Sequence, residues 1–179
     1  MDGRPPNVLA YSRRDRHGGR RSGSDVGDAM MLPMLKFDAP IWRLLPQAGL
    51  VDPAAPARVP EGRFHHAGQI AAYASLTAEG ARVAIRRYLG DGVARVLIPM
   101  RLTAQCVADA RGLLPAAVAW QDVAAAEGVS PTWAISDMAR EAGAEAMLYS
   151  SRSRPDLSHV VVFRPDRLHG FGEATAYIP

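Results

Sequence analysis

Gly62-Arg-Phe-His-His-Ala-Gly-Gln-Ile-Ala-Ala-Tyr73 gathers a guanidinium, two imidazoles and a phenol within twelve residues. Arg63 can grip a phosphate through two parallel hydrogen bonds, which a lysine cannot reproduce. Tyr73 offers a flat apolar face with a polar tip, suited to stacking on a planar ring. Glycines at 62 and 68 let the backbone turn sharply around the polar residues. These types together suit a pocket for an anion and a ring, with His65 as a further polar contact; a tyrosine packed into the core is the plainer reading of Tyr73. His65 and His66 are adjacent and cannot easily share one metal, and no His-x-x-x-His or acidic partner stands in register, so no metal site is expected. Nor does the chain hold Gly-x-Gly-x-x-Gly or a P-loop, which removes support for a Rossmann or nucleoside-triphosphatase reading.

Three more segments carry candidate chemistry. Arg43 lies inside Pro40-Ile-Trp-Arg-Leu-Leu-Pro46. An arginine in a half-buried strand is costly unless paired, so it points to a carboxylate or a phosphate-bearing ligand; the alternative is a charge on the strand's wet face. Glu79 follows Thr77, where a carboxylate suits a helix N-terminus, and capping alone would explain it. Ser151 and Arg152 fall in Ser150-Ser-Arg-Ser-Arg-Pro-Asp-Leu-Ser158, a run dense in hydroxyls and guanidinium groups that also reads as a turn.

The positioning elements follow from period and punctuation. A short strand is predicted over Pro40–Pro46, a proline-rich loop over 46–61, and a strand near Gln69–Tyr73. Thr77 caps a helix whose Ala81, Ile85, Tyr88 and Leu89 make one apolar face, with Arg82 and Arg86 solvated; Gly90-Asp-Gly92 ends it. Val93–Pro99 reads as a strand that can resume over Leu102–Val107, and Leu113–Glu127 as partly helical. Ser130-Pro131 opens a helix with Ile135, Met138, Ala139 and Ala142 inward, stopped by Gly143. Strands over Ala146–Tyr149 and His159–Phe163 close the domain. This mixture indicates α+β, a twisted, mainly antiparallel sheet with packed helices.

The 179 residues suit one domain, 31–179, preceded by a Gly-, Arg-, Asp- and Ser-rich segment, 1–30, that reads as a disordered tail. Arginine replaces lysine almost throughout (Lys36 is the sole lysine), and the net charge of +3 does not demand a nucleic-acid partner. The single cysteine, Cys106, rules out an internal disulfide and multi-cysteine metal sites; its apolar neighbours favour a buried small hydrophobe over a nucleophile. No apolar run approaches the ~20 residues of a membrane span, and the start lacks the apolar stretch of a secretory signal, so a cytoplasmic protein is expected.

In order and spacing, three segments together resemble the RES domain family, named for its Arg, Glu and Ser residues. Trp42-Arg43 is similar to the family's opening strand. Gly62-Arg63-Phe64-His65 through Tyr73 is similar to its Gly-Arg-aromatic-Asn stretch and Ala-Leu-Tyr strand. Trp133 through Gly143 to Leu148-Tyr149-Ser150-Ser151-Arg152 and Val160–Phe163 resembles its helix, Leu-Tyr-Pro-Ser-Arg turn and last strand. The likeness spans about residues 38–168.

It implies an ADP-ribosyltransferase-like fold and the toxin of a bacterial toxin–antitoxin pair. The substrate would be NAD⁺, cleaved at the nicotinamide–ribose bond, with water, phosphate or a protein receiving the ADP-ribose. The partner would be an Xre-type helix-turn-helix antitoxin; homo-oligomerisation is left open, and neither a membrane nor direct nucleic-acid binding is implied. On this reading Arg43, Glu79 and Ser151 are catalytic, and Arg63, His65, Tyr73 and Arg152 bind the dinucleotide. The chain departs from the family in three places. The glutamate position falls near Ala84, leaving Glu79 as the carboxylate of that helix; His65 replaces asparagine, and Ser150 replaces proline. A non-catalytic partner-binding relative, or a toxin acting on nucleic acid through its arginines, are the competing classes.

Overall fold

A computed structural model describes residues 31–113 and 130–178. The expected tail over 1–30 and most of the expected helix over Leu113–Glu127 lie outside the described residues.

Two long strands frame the fold. β1 (Met34–Pro46) and β3 (Arg95–Asp109) pair antiparallel from Met34↔Ala108 to Pro46↔Arg95. Between and after them come β2 (Ala72–Ser75), α1 (Ala78–Ile85), α2 (Pro131–Glu141), β4 (Ala146–Ser150), β5 (Ser158–Val162), β6 (Leu168–Gly170) and β7 (Thr175–Tyr177). The strand order is β1-β2-β5-β4-β3-β6; because β1 also pairs with β3, the first five strands form a closed circuit. β3 gives one edge to β1, so its other edge takes β7 at Arg95–Leu97, β6 at Met100–Leu102 and β4 at Val107–Asp109. Only the β3–β4 pair is parallel among these. The α+β, mainly antiparallel architecture is the one the residue pattern indicates.

Side-chain alternation divides the interior. Val96, Ile98, Met100, Leu102 and Ala104 of β3 join Ile41, Ala72, Ala74, Leu148, Val160 and Val162 in the main core. The opposite faces of β4 and β5 present Met147, Tyr149 and Val161 to Ile135 and Ala139 of α2. Strands covered on both sides read as continuous apolar runs, as Ala-Met-Leu-Tyr and His-Val-Val-Val do.

β3 keeps its inward phase only by breaking it once. The register with β1 slips between Leu35↔Val107 and Phe37↔Ala104, so β3 carries one extra residue there. Its core-facing residues therefore change from even numbers to Val107. The bulge frees amides, and Glu145 Oε2 accepts those of Gln105 at 2.6 Å and Cys106 at 3.2 Å; Oε1 pairs with Arg167 at 2.6 Å. Burial pushes the Glu145 carboxyl up, but these donors outweigh it and hold it below its ordinary value of 4.5. A depressed folded value means stability present above pH 4.5 and lost as pH falls through the folded value. The expected result is that the stability lead of wild type over Glu145→Gln, measured by urea unfolding, is full at pH 6 and shrinks below pH 4.5.

Several expectations from the sequence need correction. β1 runs from Met34, through Pro40, and is not a short strand bracketed by prolines; β3 likewise continues through Pro99 without interruption. A proline is tolerated in a ladder where its missing N–H faces no acceptor. β2 begins at Ala72, since 66–71 form turns and coil before it. Thr77 caps α1 as expected, its Oγ1 accepting from Gly80 N at 2.9 Å. The helix ends at Ile85, however, and a 3-10 turn over Arg86–Asp91 leaves Tyr88 49% exposed and off the apolar face. Ala142 is exposed, not inward, because the chain turns there towards Gly143 (φ +81°). β6 and β7, two strands beyond the expected last one, close the described chain. Among the described residues no helix is long and apolar enough to cross a membrane.

Candidate functional site

One face of α2 holds the Gly62–Gln69 stretch in place. Thr132 Oγ1 donates to the Arg63 carbonyl, Trp133 Nε1 to the Gly62 carbonyl at 2.8 Å, and Arg140 Nη2 to the Ile70 carbonyl at 2.9 Å. Asp137 accepts from Gln69 Nε2 at 2.7 Å and lies 3.2 Å from His66 Nε2. Ser130 opens α2 without a side-chain capping bond, its hydroxyl meeting Thr132 Oγ1 at 2.8 Å. A loop that supplies few apolar side chains is thus fixed through its backbone carbonyls.

Inside this loop His65 is 1% exposed and turned onto Tyr73. Its Nε2 faces the Val59 carbonyl at 3.1 Å and its Nδ1 the Tyr73 hydroxyl at 2.8 Å, while the Phe64 amide donates to that hydroxyl at 3.0 Å. The carbonyl requires Nε2–H, so Tyr73 donates to Nδ1. Burial raises the Tyr73 pKa above its ordinary value, against the Phe64 bond. Both groups are therefore occupied by the fold, and Tyr73 offers its ring.

That ring borders a cavity of about 550 Å³. Tyr73 and Ser75 of β2, Tyr149 of β4 and Arg43 of β1 form its sheet wall; Ala84 and Ile85 of α1 stand on another side. Asp52 and Arg58, both exposed, come from the loop after β1, and Asp52 is the lining carboxylate among the described residues. Arg43 is only 4% exposed, and among the described residues it makes no ion pair with a carboxylate. Nε donates to the Tyr73 carbonyl at 3.1 Å and Nη1 to the carbonyls of Ala55, at 3.0 Å, and Pro53. Desolvation lowers its pKa to about 10, partly countered by Asp52. Its charge is thus committed to fastening the loop that roofs the cavity.

Arg63 sits at the border of this wall, its guanidinium 5.1 Å from the ring centres of Phe64 and Tyr149. Burial lowers its pKa, and the charge of exposed Arg152 lowers it further, so two cations approach one another beside the tyrosines. Ser151, 5% exposed, is held by its amide on the Leu157 carbonyl at 2.8 Å and is not in the cavity lining. Glu79 is not either. It is exposed and pairs with Arg154 at 2.9 Å, and Arg154 also holds Asp156. The structure therefore brings Arg43 and Tyr73 into the lining of one hollow; Arg63, packed against the Tyr149 ring, is not in that lining, nor are His65 and Arg152, and Glu79 is on the outer surface. Ala84, where the family likeness places a glutamate, does line the hollow.

Ser75, Tyr149 and His159 were not singled out by sequence. They form one row across three strands, with Ser75↔His159 and Tyr149↔His159 in register. The two-residue period from Tyr73 would have put Ser75 on the same face, but nothing local indicates its partner 84 residues on. Ser75 Oγ is 2.7 Å from His159 Nδ1 and the pair is buried; burial, then Arg63, lower the imidazole pKa to about 4. Burial also pushes the Tyr149 hydroxyl up to about 12. Among the described residues no group of three or more His, Cys, Asp or Glu side chains could hold a metal ion.

Comparison with known proteins adds two findings. The family model of the RES domain matches residues 40–174. The fold is similar to that of MbcT in the crystal structure of the M. tuberculosis MbcT–MbcA toxin–antitoxin complex, with a TM-score of 0.57 and 15% identity, covering 80% of this chain and 86% of that one. No curated protein matches the chain by sequence.

Proposed function

As the chain belongs to the RES domain family, we propose that it is the toxin of a bacterial toxin–antitoxin pair and consumes NAD⁺. The observation carrying this reading is a hollow of about 550 Å³ walled by Tyr73 and Tyr149, with the Arg63 guanidinium 5.1 Å from the Tyr149 ring centre and Arg152 near enough to Arg63 to lower its pKa. Arg63 and Arg152 hold the pyrophosphate, and the tyrosine faces hold a planar base. Breaking the nicotinamide–ribose bond sends the electron pair to the pyridine nitrogen, and nicotinamide leaves neutral. Positive charge grows on the ribose until the acceptor oxygen bonds its anomeric carbon and releases a proton. A nearby anion favours that transition state, and Asp52 is the lining carboxylate placed for it. Arg43 and Ser151 hold the surrounding loop and turn. Similarity to a toxin in a toxin–antitoxin complex supports a protein antitoxin as the partner; its Xre helix-turn-helix type and a cytoplasmic setting are proposed from the family likeness alone.

A second reading is a non-catalytic binder on the same fold, favoured by an alanine in the lining at position 84 and by the outward position of Glu79. Incubating the purified protein with NAD⁺, with and without phosphate, separates them. The expected product is free nicotinamide, with ADP-ribose or its 1″-phosphate identifying the acceptor. Glu79→Ala is expected to turn NAD⁺ over within about threefold of wild type, since an exposed ion pair contributes only ~0–1 kcal/mol. ADP-ribose binding without nicotinamide release would favour the binder.

A further inference from the structure

We infer that Ser75, aligned by His159, is the hydrogen-bonding site in the cavity for a ribose hydroxyl of the ligand. This rests on the dinucleotide reading and adds to it the group that recognises the sugar. Of the other polar groups along the sheet wall, two are held by bonds within the fold. Arg43 donates to the carbonyls of Tyr73, Pro53 and Ala55, and the Tyr73 hydroxyl is taken by His65 and the Phe64 amide. Ser75 lines the same wall and has one side-chain bond, to His159 Nδ1 at 2.7 Å.

A hydroxyl has one proton and two lone pairs, and the bond to Nδ1 uses one of these three. If Ser75 donates, two acceptor positions remain; if it accepts, a donor and an acceptor remain. A sugar hydroxyl both donates and accepts, so it matches either arrangement. A phosphate oxygen accepts only and fails in the first. Phosphate is served instead by Arg63, against the Tyr149 ring, and by Arg152. His159 faces Ser75 and Tyr149 from directly opposite positions in the neighbouring strands. With its imidazole held neutral by burial, it directs the serine and adds no charge of its own. His159 is a positioning residue here, and Ser75 the group that touches the sugar.

The test is calorimetric binding of ADP-ribose and of two analogues, one lacking both the 2- and 3-hydroxyls of the adenosine ribose and the other lacking both of those on the terminal ribose. Ser75→Ala should weaken ADP-ribose roughly tenfold, the scale of one buried hydrogen bond, and should leave unchanged the analogue lacking the hydroxyl that Ser75 contacts. His159→Asn restores an acceptor near the Nδ1 position and should keep most of the affinity, whereas His159→Phe should match Ser75→Ala. Thermal melting of each variant guards against a folding defect, and the His159 pair provides the result should Ser75→Ala fail to fold. Equal losses for all three ligands, or no loss for any, overturn the inference and leave the dinucleotide reading standing. Failure of the wild type to bind ADP-ribose overturns both.

Discussion

Arg63→Ala is expected to weaken ADP-ribose binding by about 10- to 100-fold. Hydrogen bonds to charged groups contribute ~1.5–3 kcal/mol each, and 1.4 kcal/mol is a factor of ten in affinity. Arg63 suits this task because it is fixed before any ligand arrives. Thr132 holds its carbonyl, and its guanidinium lies by the rings of Phe64 and Tyr149. Little rotamer entropy then remains to be lost on binding. Arg63→Lys keeps the charge without the planar fork and should fall between the two. A second, ligand-free readout checks the placement. Arg63 is the secondary cause, after burial, of the depressed His159 pKa, so its removal should raise that value above about 4 while burial keeps it below 6.5. NMR titration of the imidazole measures it. Unchanged affinity in Arg63→Ala would remove this residue from the site.

Residues that carry their role in local sequence were legible. Thr77 before Ala-Glu-Gly announced a helix cap, Ser130-Pro131 a helix start, and the alternating apolar strands an α+β sheet. Arg43, Arg63 and Tyr73 were recognisable because a guanidinium or phenol in an apolar setting has to meet something. What each meets was not legible. Arg43 ends on the carbonyls of residues 53, 55 and 73, and a backbone acceptor leaves no mark in side-chain identity. Ser75 and His159 are 84 positions apart and meet only because β2 and β5 pair. Glu79 sits where helix capping predicts, but its orientation depends on Arg154 in a turn 75 residues later. The bulge in β3 was hidden for a related reason: Gln105-Cys106 is unremarkable by itself, and the carboxylate that satisfies it is Glu145.

Gly62→Ala is expected to destabilise the protein by about 2–4 kcal/mol, combining ~1–3 kcal/mol of overpacking with ~1 kcal/mol for a strained hydrogen bond. For a domain of this size that lowers Tm by roughly 5–15 °C. A Cβ at this position would overlap His65 Cε1 and stand 2.8 Å from Nδ1 and 3.1 Å from the Tyr73 hydroxyl. Backbone movement cannot easily relieve it. The Gly62 amide donates to the His65 carbonyl at 2.8 Å, and the Gly62 carbonyl accepts from Trp133 at 2.8 Å. The imidazole must therefore move, which breaks its 2.8 Å bond to Tyr73 and loosens a ring that walls the cavity. ADP-ribose affinity should fall together with stability. The cause can be isolated with a double-mutant cycle, because residues in contact are non-additive. In a His65→Ala background the obstructing ring is gone, so Gly62→Ala should cost less than half as much by urea unfolding. An equal cost in both backgrounds would show that the imidazole is not what excludes a side chain at position 62.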